Sequence, residues 1–112
     1  MKRYKYSPED LKLMENSDIP FAIFQFVDKK LALLCASDGL LRILGVNDRQ
    51  DIFRVVETDM YKNAHPEDIP RLLDAANRFI SGAYDYSVIY RHLLNGSYRV
   101  IKATGKRMEK HG

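Results

Sequence analysis

Histidine and cysteine are the side chains of this 112-residue chain most able to bind a metal or act as a nucleophile. His65 stands directly before Pro66, where its ring can support the start of a helix. His92 lies near a predicted hairpin, His111 lies in the polar tail, and no His-x-x-x-His or Cys-x-x-Cys spacing occurs. A metal needs several such ligands converging on one point, so no metal site is expected. The single cysteine, Cys35, lies in an apolar strand and is expected to be a small buried hydrophobe.

Two polar pairs could support acid–base or nucleophilic catalysis, and each also has a structural explanation. Ser37 precedes Asp38 and a short apolar run, which is the position of a helix N-cap. His65 and Asp68 flank a helix start and would need a cleft and a further polar group to form an active site. Glycine-rich phosphate loops are missing. The sequence therefore predicts a protein without enzymatic activity, and a small α+β enzyme using His65 and Asp68 is an alternative.

The histidine–proline segment opens a stretch, residues 63–82, whose pattern predicts the main helix of the chain. Pro66 and Pro70 fit only near a helix start, because proline lacks the N–H that later turns need. Asp68 is predicted to be the N-cap, and Gly82 the left-handed residue that ends the helix. An apolar stripe with helical spacing should face the core: Ile69, Leu72, Leu73, Ala76, Phe79 and Ile80.

The first predicted strand, residues 20–27, is apolar on both faces. Its two faces are Phe21, Ile23, Gln25 and Val27 on one side and Ala22, Phe24 and Phe26 on the other. One face should lie on the core, and the other must be covered by the N-terminal helix or by a second molecule. The other predicted elements are a helix from Ser7 to near Asn16, a strand at 31–36, helices at 40–44 and from 47, and strands at 84–93 and 98–108.

The dipeptide Asn95-Gly96 predicts a tight hairpin turn between the last two strands. A two-residue turn pairs Tyr90 with Ile101 and Val88 with Ala103, and we favour this register. A loop longer by one residue would turn the opposite face of the strand at 84–93 towards the core.

Composition limits the classes of protein to which the chain can belong. A length of 112 residues, 46% of them apolar, suits one domain with a real core. No apolar run is long enough for a membrane span, and polar residues after Met1-Lys2-Arg3 argue against a signal peptide. The lone cysteine favours a reducing compartment, the cytoplasm. A net charge of +3 is too small to imply nucleic acid, although residues 86–112 hold six Lys or Arg against one acid. That basic segment either solvates strand edges or forms a phosphate-binding face.

Three segments together resemble a PAS sensor domain, such as those of bacterial diguanylate cyclases and histidine kinases. They are ASDGLLRILG at 36–45, HPED at 65–68, and the pair Tyr90-Arg91 followed by NGSYR at 95–99. The resemblance implies an α+β fold in which a five-stranded antiparallel sheet carries helices on one face. The last strand of such a sheet lies between the first and the fourth, and this chain ends at Gly112, where that strand should begin. We therefore expect a capping helix at 1–18 and a PAS-like domain at 19–112 without its final strand.

The resemblance also implies a function and a site. It implies a sensory module that controls an output domain of the same longer protein by binding a small ligand, by dimerising, or both. A ligand-free protein–protein interaction module is an alternative. The implied pocket, suited to a small apolar ligand, comprises Ile23, Gln25, Val27, Cys35, Phe53, Phe79, Tyr90, Ile101 and Ala103. The implied surface of a homodimer comprises Leu11, Met14, Phe24 and Phe26.

Cofactors are not expected. Flavin-binding members of the family carry a cysteine in a Gly-Arg-Asn-Cys-like motif on the helix before the main one, and residues 48–60 contain no cysteine here. Haem-binding members need an axial histidine within or just before the main helix, whereas His65 precedes two prolines at its very start. Flavin and haem are therefore both disfavoured.

Overall fold

Two pairs of consecutive strands are separated by a run of helices in the computed structural model, which describes residues 3–28, 30–58, 60–82 and 84–106, with the backbone alone at 30 and 55–58. The elements in order are α1 (Pro8–Glu15), β1 (Ala22–Val27), β2 (Lys30–Ala36), α2 (Asp38–Leu44), α3 (Arg49–Thr58), a 3-10 turn (Pro66–Asp68), α4 (Ile69–Ile80), β3 (Tyr86–Leu94) and β4 (Ser97–Gly105). Antiparallel strands and separate helices confirm the predicted α+β class.

The chain divides into two compact units, Met1–Lys62 and Asn63–Gly112. The first unit contains α1, α2, α3 and the antiparallel pair β1–β2, whereas the second contains α4 and the antiparallel pair β3–β4. Each sheet has two strands in the part of the chain that the structure describes. No helix among the described residues combines the length and apolarity needed to cross a membrane.

The core of the first unit lies between one face of β2 and the helices that follow it. Leu33 and Ala36 from β2 pack with Leu41 of α2 and Ile52 of α3, all of them buried. Partly buried residues surround this cluster: Ala22, Leu40, Leu44, Val46 and Phe53. Leu33 and Ala36 share a face of the sheet although an odd number of positions separates them. The reason is a β-bulge, since the register shifts between the pairs Ile23–Cys35 and Phe24–Leu33.

The helix ends of the first unit follow the local sequence signals. Ser7 accepts a hydrogen bond from the Asp10 N–H, and Asn16 stands at the end of α1, as predicted. Ser37 caps α2, which begins two residues before the predicted start. Gly45 ends α2 with a φ of 71°, a left-handed conformation that an L side chain would strain.

The second unit is built on the β3–β4 hairpin. Asn95 and Gly96 form its two-residue turn with φ values of 52° and 81°. This turn pairs Tyr90 with Ile101 and Val88 with Ala103, so the preferred register is confirmed.

Helix α4 buries a narrower stripe than the sequence predicts. Leu72 is its one buried residue, with 3% of its surface exposed. Leu73 and Ile80, both predicted to face the core, are 47% and 42% exposed. Phe79 is partly buried and meets the Tyr86 ring edge-on at a centroid distance of 6.0 Å. Gly82 follows the helix with a φ of 85°, as predicted for the residue that stops it.

Candidate functional site

Asp68 is a buried carboxylate of the second unit that two arginines contact. The residue is 1% exposed, and its Oδ2 accepts hydrogen bonds from the backbone N–H of Arg91 at 2.8 Å and from Arg91 Nε at 3.0 Å. Oδ1 accepts from Arg91 Nη2 at 2.8 Å and lies 3.2 Å from Arg71 Nη2. Hydrogen bonds from Arg91 hold the pKa of Asp68 well below its ordinary value. The carboxylate is therefore an ionised structural anchor.

This anchoring corrects the predicted role of Asp68. Asp68 does stand at the N-cap position of α4, but its side chain makes no capping hydrogen bond because Arg91 engages both oxygens. His65 caps the preceding 3-10 turn instead, since its Nδ1 accepts the Glu67 N–H at 3.1 Å. The prediction that the His65 ring supports the helix start is thus confirmed. The same ring packs on Tyr98 at a centroid distance of 4.8 Å.

The outer edge of β3 is closed by the segment that leads into α4. Leu93 N–H donates to the carbonyl of Asn63 at 2.8 Å, and His65 N–H donates to the carbonyl of Arg91 at 2.9 Å. Arg71 of α4 donates through two nitrogens to the carbonyl of Ile89, at 2.6 and 3.1 Å. Residues 63–71 thus occupy the edge on which another strand could otherwise pair. Sequence analysis missed this arrangement, because its bonds join residues far apart in the chain.

The outer edge of β4 has no such cover among the described residues. The backbone N–H and C=O groups of residues 89, 91 and 93 point away from β4. In an antiparallel pair, the N–H and C=O groups of their register partners on β4 therefore point away from β3. The outward-facing positions on β4 are Tyr98, Val100, Lys102 and, by the same alternation, Thr104. The hairpin is therefore asymmetric, with one occupied edge and one open edge in the described chain.

Ser37 is a fully buried serine of the first unit, with 0% of its surface exposed. Its Oγ accepts hydrogen bonds from the N–H groups of Phe21 at 2.9 Å and Leu40 at 3.2 Å. It donates to the carbonyl of Ile19 at 2.6 Å. All of the hydroxyl's bonding capacity is used by backbone, so the predicted capping role is confirmed.

Arg49 joins several elements of the first unit through one guanidinium group. Its Nε and Nη2 both donate to the carbonyl of Ala36, at 3.1 and 3.0 Å. Nη2 also donates to the carbonyl of Glu15 at 3.1 Å and to the Asp38 carboxylate at 2.5 Å, and Nε lies 3.3 Å from the Glu15 carboxylate. The ends of α1, β2 and α2 are thus tied to the first residue of α3. No local sequence signal marks Arg49, and sequence analysis missed it.

The residues of the predicted ligand pocket in the first unit lie on two different sheet faces. Ile23 pairs with Cys35, and alternation puts Gln25 and Val27 on their face. Phe53 instead packs beside the buried cluster that contains Leu33, on the opposite face. The structure therefore brings Ile23, Gln25, Val27 and Cys35 together and places Phe53 apart from them.

The predicted pocket residues of the second unit share one face of the hairpin. Tyr90 and Ile101 are direct partners, and Ala103 lies one alternation further along β4. All three are partly buried, as is Phe79 on α4. Burial raises the pKa of the Tyr90 hydroxyl. The confirmed register therefore brings these four partly buried residues to the side of the hairpin that also carries buried Val88.

The residues of the predicted dimer surface do not form one surface. Alternation puts Phe24 and Phe26 on the sheet face of Leu33, where they remain 43% and 49% exposed. Helix α1, which carries Leu11 and Met14, packs on β2, and the segment before it reaches the other face, where Tyr4 N–H donates to Gln25 Oε1 at 2.6 Å. Phe24 and Phe26 thus lie on the face opposite the one that the segment before α1 reaches.

The remaining candidates for chemistry have structural surroundings. Cys35 is 0% exposed, and burial raises the pKa of its thiol, as fits the predicted buried hydrophobe. Within the described residues, no group of three or more His, Cys, Asp or Glu side chains could hold a metal ion. An open depression of about 330 Å³ lies at the end of α2, lined by Asp38, Leu41, Arg42, Gly45, Val46 and Asn47. It contains none of the predicted pocket residues.

Comparison of the chain with models of known protein families, with curated proteins and with solved structures found no match to any of them. The resemblance to PAS domains therefore rests on the motifs and on the order of the elements, and it stays a prediction.

Proposed function

We propose that this chain is a PAS-like regulatory module of the cytoplasm that controls a linked output domain. Binding of a small apolar ligand, or of a second copy of the chain, would be the regulatory event. The order of elements supports the proposal: two antiparallel strands, two short helices, a longer helix and a second antiparallel pair. The segments that carry the resemblance lie at joints of this fold, namely the β2–α2 connection, the turn into α4 and the β3–β4 hairpin.

One observation carries the proposal of binding without catalysis. The side chains best suited to catalysis are engaged with backbone or with other side chains. Ser37 bonds three backbone groups, His65 Nδ1 accepts a backbone N–H, and both oxygens of Asp68 bond Arg91. A general base must reach a proton of the substrate, and a buried carboxylate already holding a guanidinium is poorly placed for that. This weighs against the alternative enzyme based on His65 and Asp68.

The apolar face of β1 that bears Phe24 and Phe26 is the favoured binding surface. Helices α2 and α3 cover the neighbouring part of the same face, where Leu33 is 2% exposed. The two phenylalanines continue that face but keep about half of their surface exposed, at 43% and 49%. Exposed aromatic area next to a packed cluster is typical of a ligand or protein contact. We therefore place the ligand surface on this face, instead of on the Ile23–Cys35 face that the sequence suggested.

The proposal is tested by measuring apolar binding and self-association in the same variants. The variant is Phe24→Ser with Phe26→Ser, and the control is Leu13→Ser, which removes a 75% exposed leucine from α1. Fluorescence of anilinonaphthalene sulfonate reports apolar binding, and sedimentation velocity reports the oligomeric state.

We expect the double variant, and not the control, to lose dye binding, dimerisation or both. Loss of dimerisation alone would favour the ligand-free interaction module. A wild type that is monomeric at about 100 μM, well above micromolar dissociation constants, and that binds no dye would refute the proposal.

A further inference from the structure

We infer that α1 is a detachable strap over the Cys35 face of the β1–β2 hairpin, and that Arg49 is the latch that holds it closed. The strap is defined as residues 4–15, which comprise α1 and the segment before it. This inference goes beyond the proposed function and does not depend on it, because it concerns an opening motion inside the first unit.

Three observations place the strap on the Cys35 face. Tyr4 N–H donates to Gln25 Oε1 at 2.6 Å, and Gln25 shares its face with Ile23 and Cys35. Helix α1 packs on β2, the strand that contains Cys35. The charge of Glu15, the last residue of α1, acts on the Cys35 thiol and adds to the effect of burial in raising its pKa. Since α2 and α3 pack on the opposite face, the strap is the part of the first unit that covers Cys35.

Polar contacts hold both ends of the strap. None of the residues of α1 is buried, and Leu11 and Met14 are its partly buried apolar side chains. An eight-residue helix is too short to be stable without its contacts. Arg49 supplies them at the end of α1 by binding both the carbonyl and the carboxylate of Glu15. A cation at this position also interacts favourably with the negative end of the helix dipole.

The chain immediately after the strap is fixed independently of Arg49. Ser17 accepts a hydrogen bond through its carbonyl from Gly39 N–H at 3.0 Å. Ile19 and Phe21 are both bonded to the Ser37 hydroxyl, at 2.6 and 2.9 Å. Gly39 allows this close approach, since a Cβ there would overlap the carbonyl of Asp18. Opening of the strap should therefore stop at Asn16, with the rest of the unit still folded.

Cys35 is a native reporter of this opening, because it is the single cysteine of the chain and 0% of it is exposed. The test measures the rate at which the Cys35 thiol reacts with dithiobis(nitrobenzoate) at alkaline pH, as a function of urea concentration. Glu15→Ala removes the carboxylate that Arg49 binds, and Arg49→Ala removes the whole latch. Arg42→Ala is the matched control, because it breaks an exposed arginine–carboxylate pair with Asp18, outside the strap.

We expect the wild-type rate to be nearly independent of urea at low concentration, which identifies local opening rather than global unfolding. Glu15→Ala should raise this rate by several-fold and Arg49→Ala by about tenfold or more, the effect of one charge-assisted hydrogen bond. Arg42→Ala should change it by less than about twofold, as for an exposed pair.

Two results would overturn the inference. One is a wild-type rate that depends on urea from the start with the full slope of global unfolding, since Cys35 would then be exposed only by unfolding. The other is a rate in Glu15→Ala no higher than in Arg42→Ala. If Arg49→Ala does not fold, the comparison of Glu15→Ala with Arg42→Ala still decides the question.

Discussion

Replacement of Ser37 by alanine deletes a single oxygen atom and three hydrogen bonds. The bonds join the hydroxyl to Phe21 N at 2.9 Å, Leu40 N at 3.2 Å and Ile19 O at 2.6 Å. Loss of a serine N-cap costs about 1 kcal/mol of unfolding free energy. Each of the other two bonds contributes about 1 kcal/mol, and more where the abandoned backbone group stays buried. Ser37→Ala should therefore lower the free energy of unfolding by about 3 kcal/mol.

Ser7 offers a matched control, because it caps α1 as Ser37 caps α2. Its hydroxyl accepts the Asp10 N–H at 3.1 Å in an exposed setting, and no further bond to that hydroxyl is found in the described chain. Ser7→Ala should cost about 0.5 to 1 kcal/mol. The difference between the variants, about 2 kcal/mol, isolates the bonds from Ser37 to Ile19 and Phe21.

Urea titration followed by far-ultraviolet circular dichroism measures both losses, provided that the dependence on urea is unchanged between variants. Equal losses in the two variants, within about 0.5 kcal/mol, would refute the reasoning. Such a result would mean that the bonds to Ile19 and Phe21 add nothing to the capping bond.

Three further predictions follow from the second unit and the composition. Arg91 lowers the pKa of Asp68 in the folded protein, so the ionised Asp68 carboxylate stabilises the fold at any pH above its unfolded-state pKa of about 3.9. This contribution is lost as the pH falls through the lower, folded-state pKa of Asp68. The urea midpoint of the wild type should therefore fall on acidification below about pH 4, and Asp68→Asn should flatten that fall; an unchanged acid limb would contradict the role of Asp68. Leu72→Ala, at a site 3% exposed, should cost about 2 to 4 kcal/mol, whereas Leu73→Ala, at a site 47% exposed, should cost less than about 1 kcal/mol in the same titration. The absorption spectrum of the purified protein should show no visible band, and a Soret band or a flavin doublet would contradict the expected lack of cofactors.

Local chemistry was predictable from the sequence. As helix caps, Ser7, Ser37 and Gly45 act within four residues of their own positions, and the turn Asn95-Gly96 sets a register through its backbone conformation alone. Such signals need no knowledge of distant residues.

Roles that depend on distant partners were not predictable. Asp68 has the right residue type and position for an N-cap, but Arg91, 23 residues later, takes its carboxylate. The first strand is apolar on both faces, so alternation could not tell which face carries the helices, and the bulge near Ile23 adds a further ambiguity. Arg49 joins elements up to 34 residues apart, and nothing beside it in the sequence indicates this.

The asymmetric edges of the β3–β4 hairpin limit how copies of this unit could assemble. A strand that added to this hairpin would use the β4 edge, which is open among the described residues, because residues 63–71 occupy the edge of β3. Two copies joined through β4 would form a closed, self-complementary pair that offers this hairpin no route to a third copy. The ion pair of Asp68 with Arg91 helps to hold residues 63–71 on the edge of β3. A substitution that frees that edge would convert a terminating contact into one that can propagate.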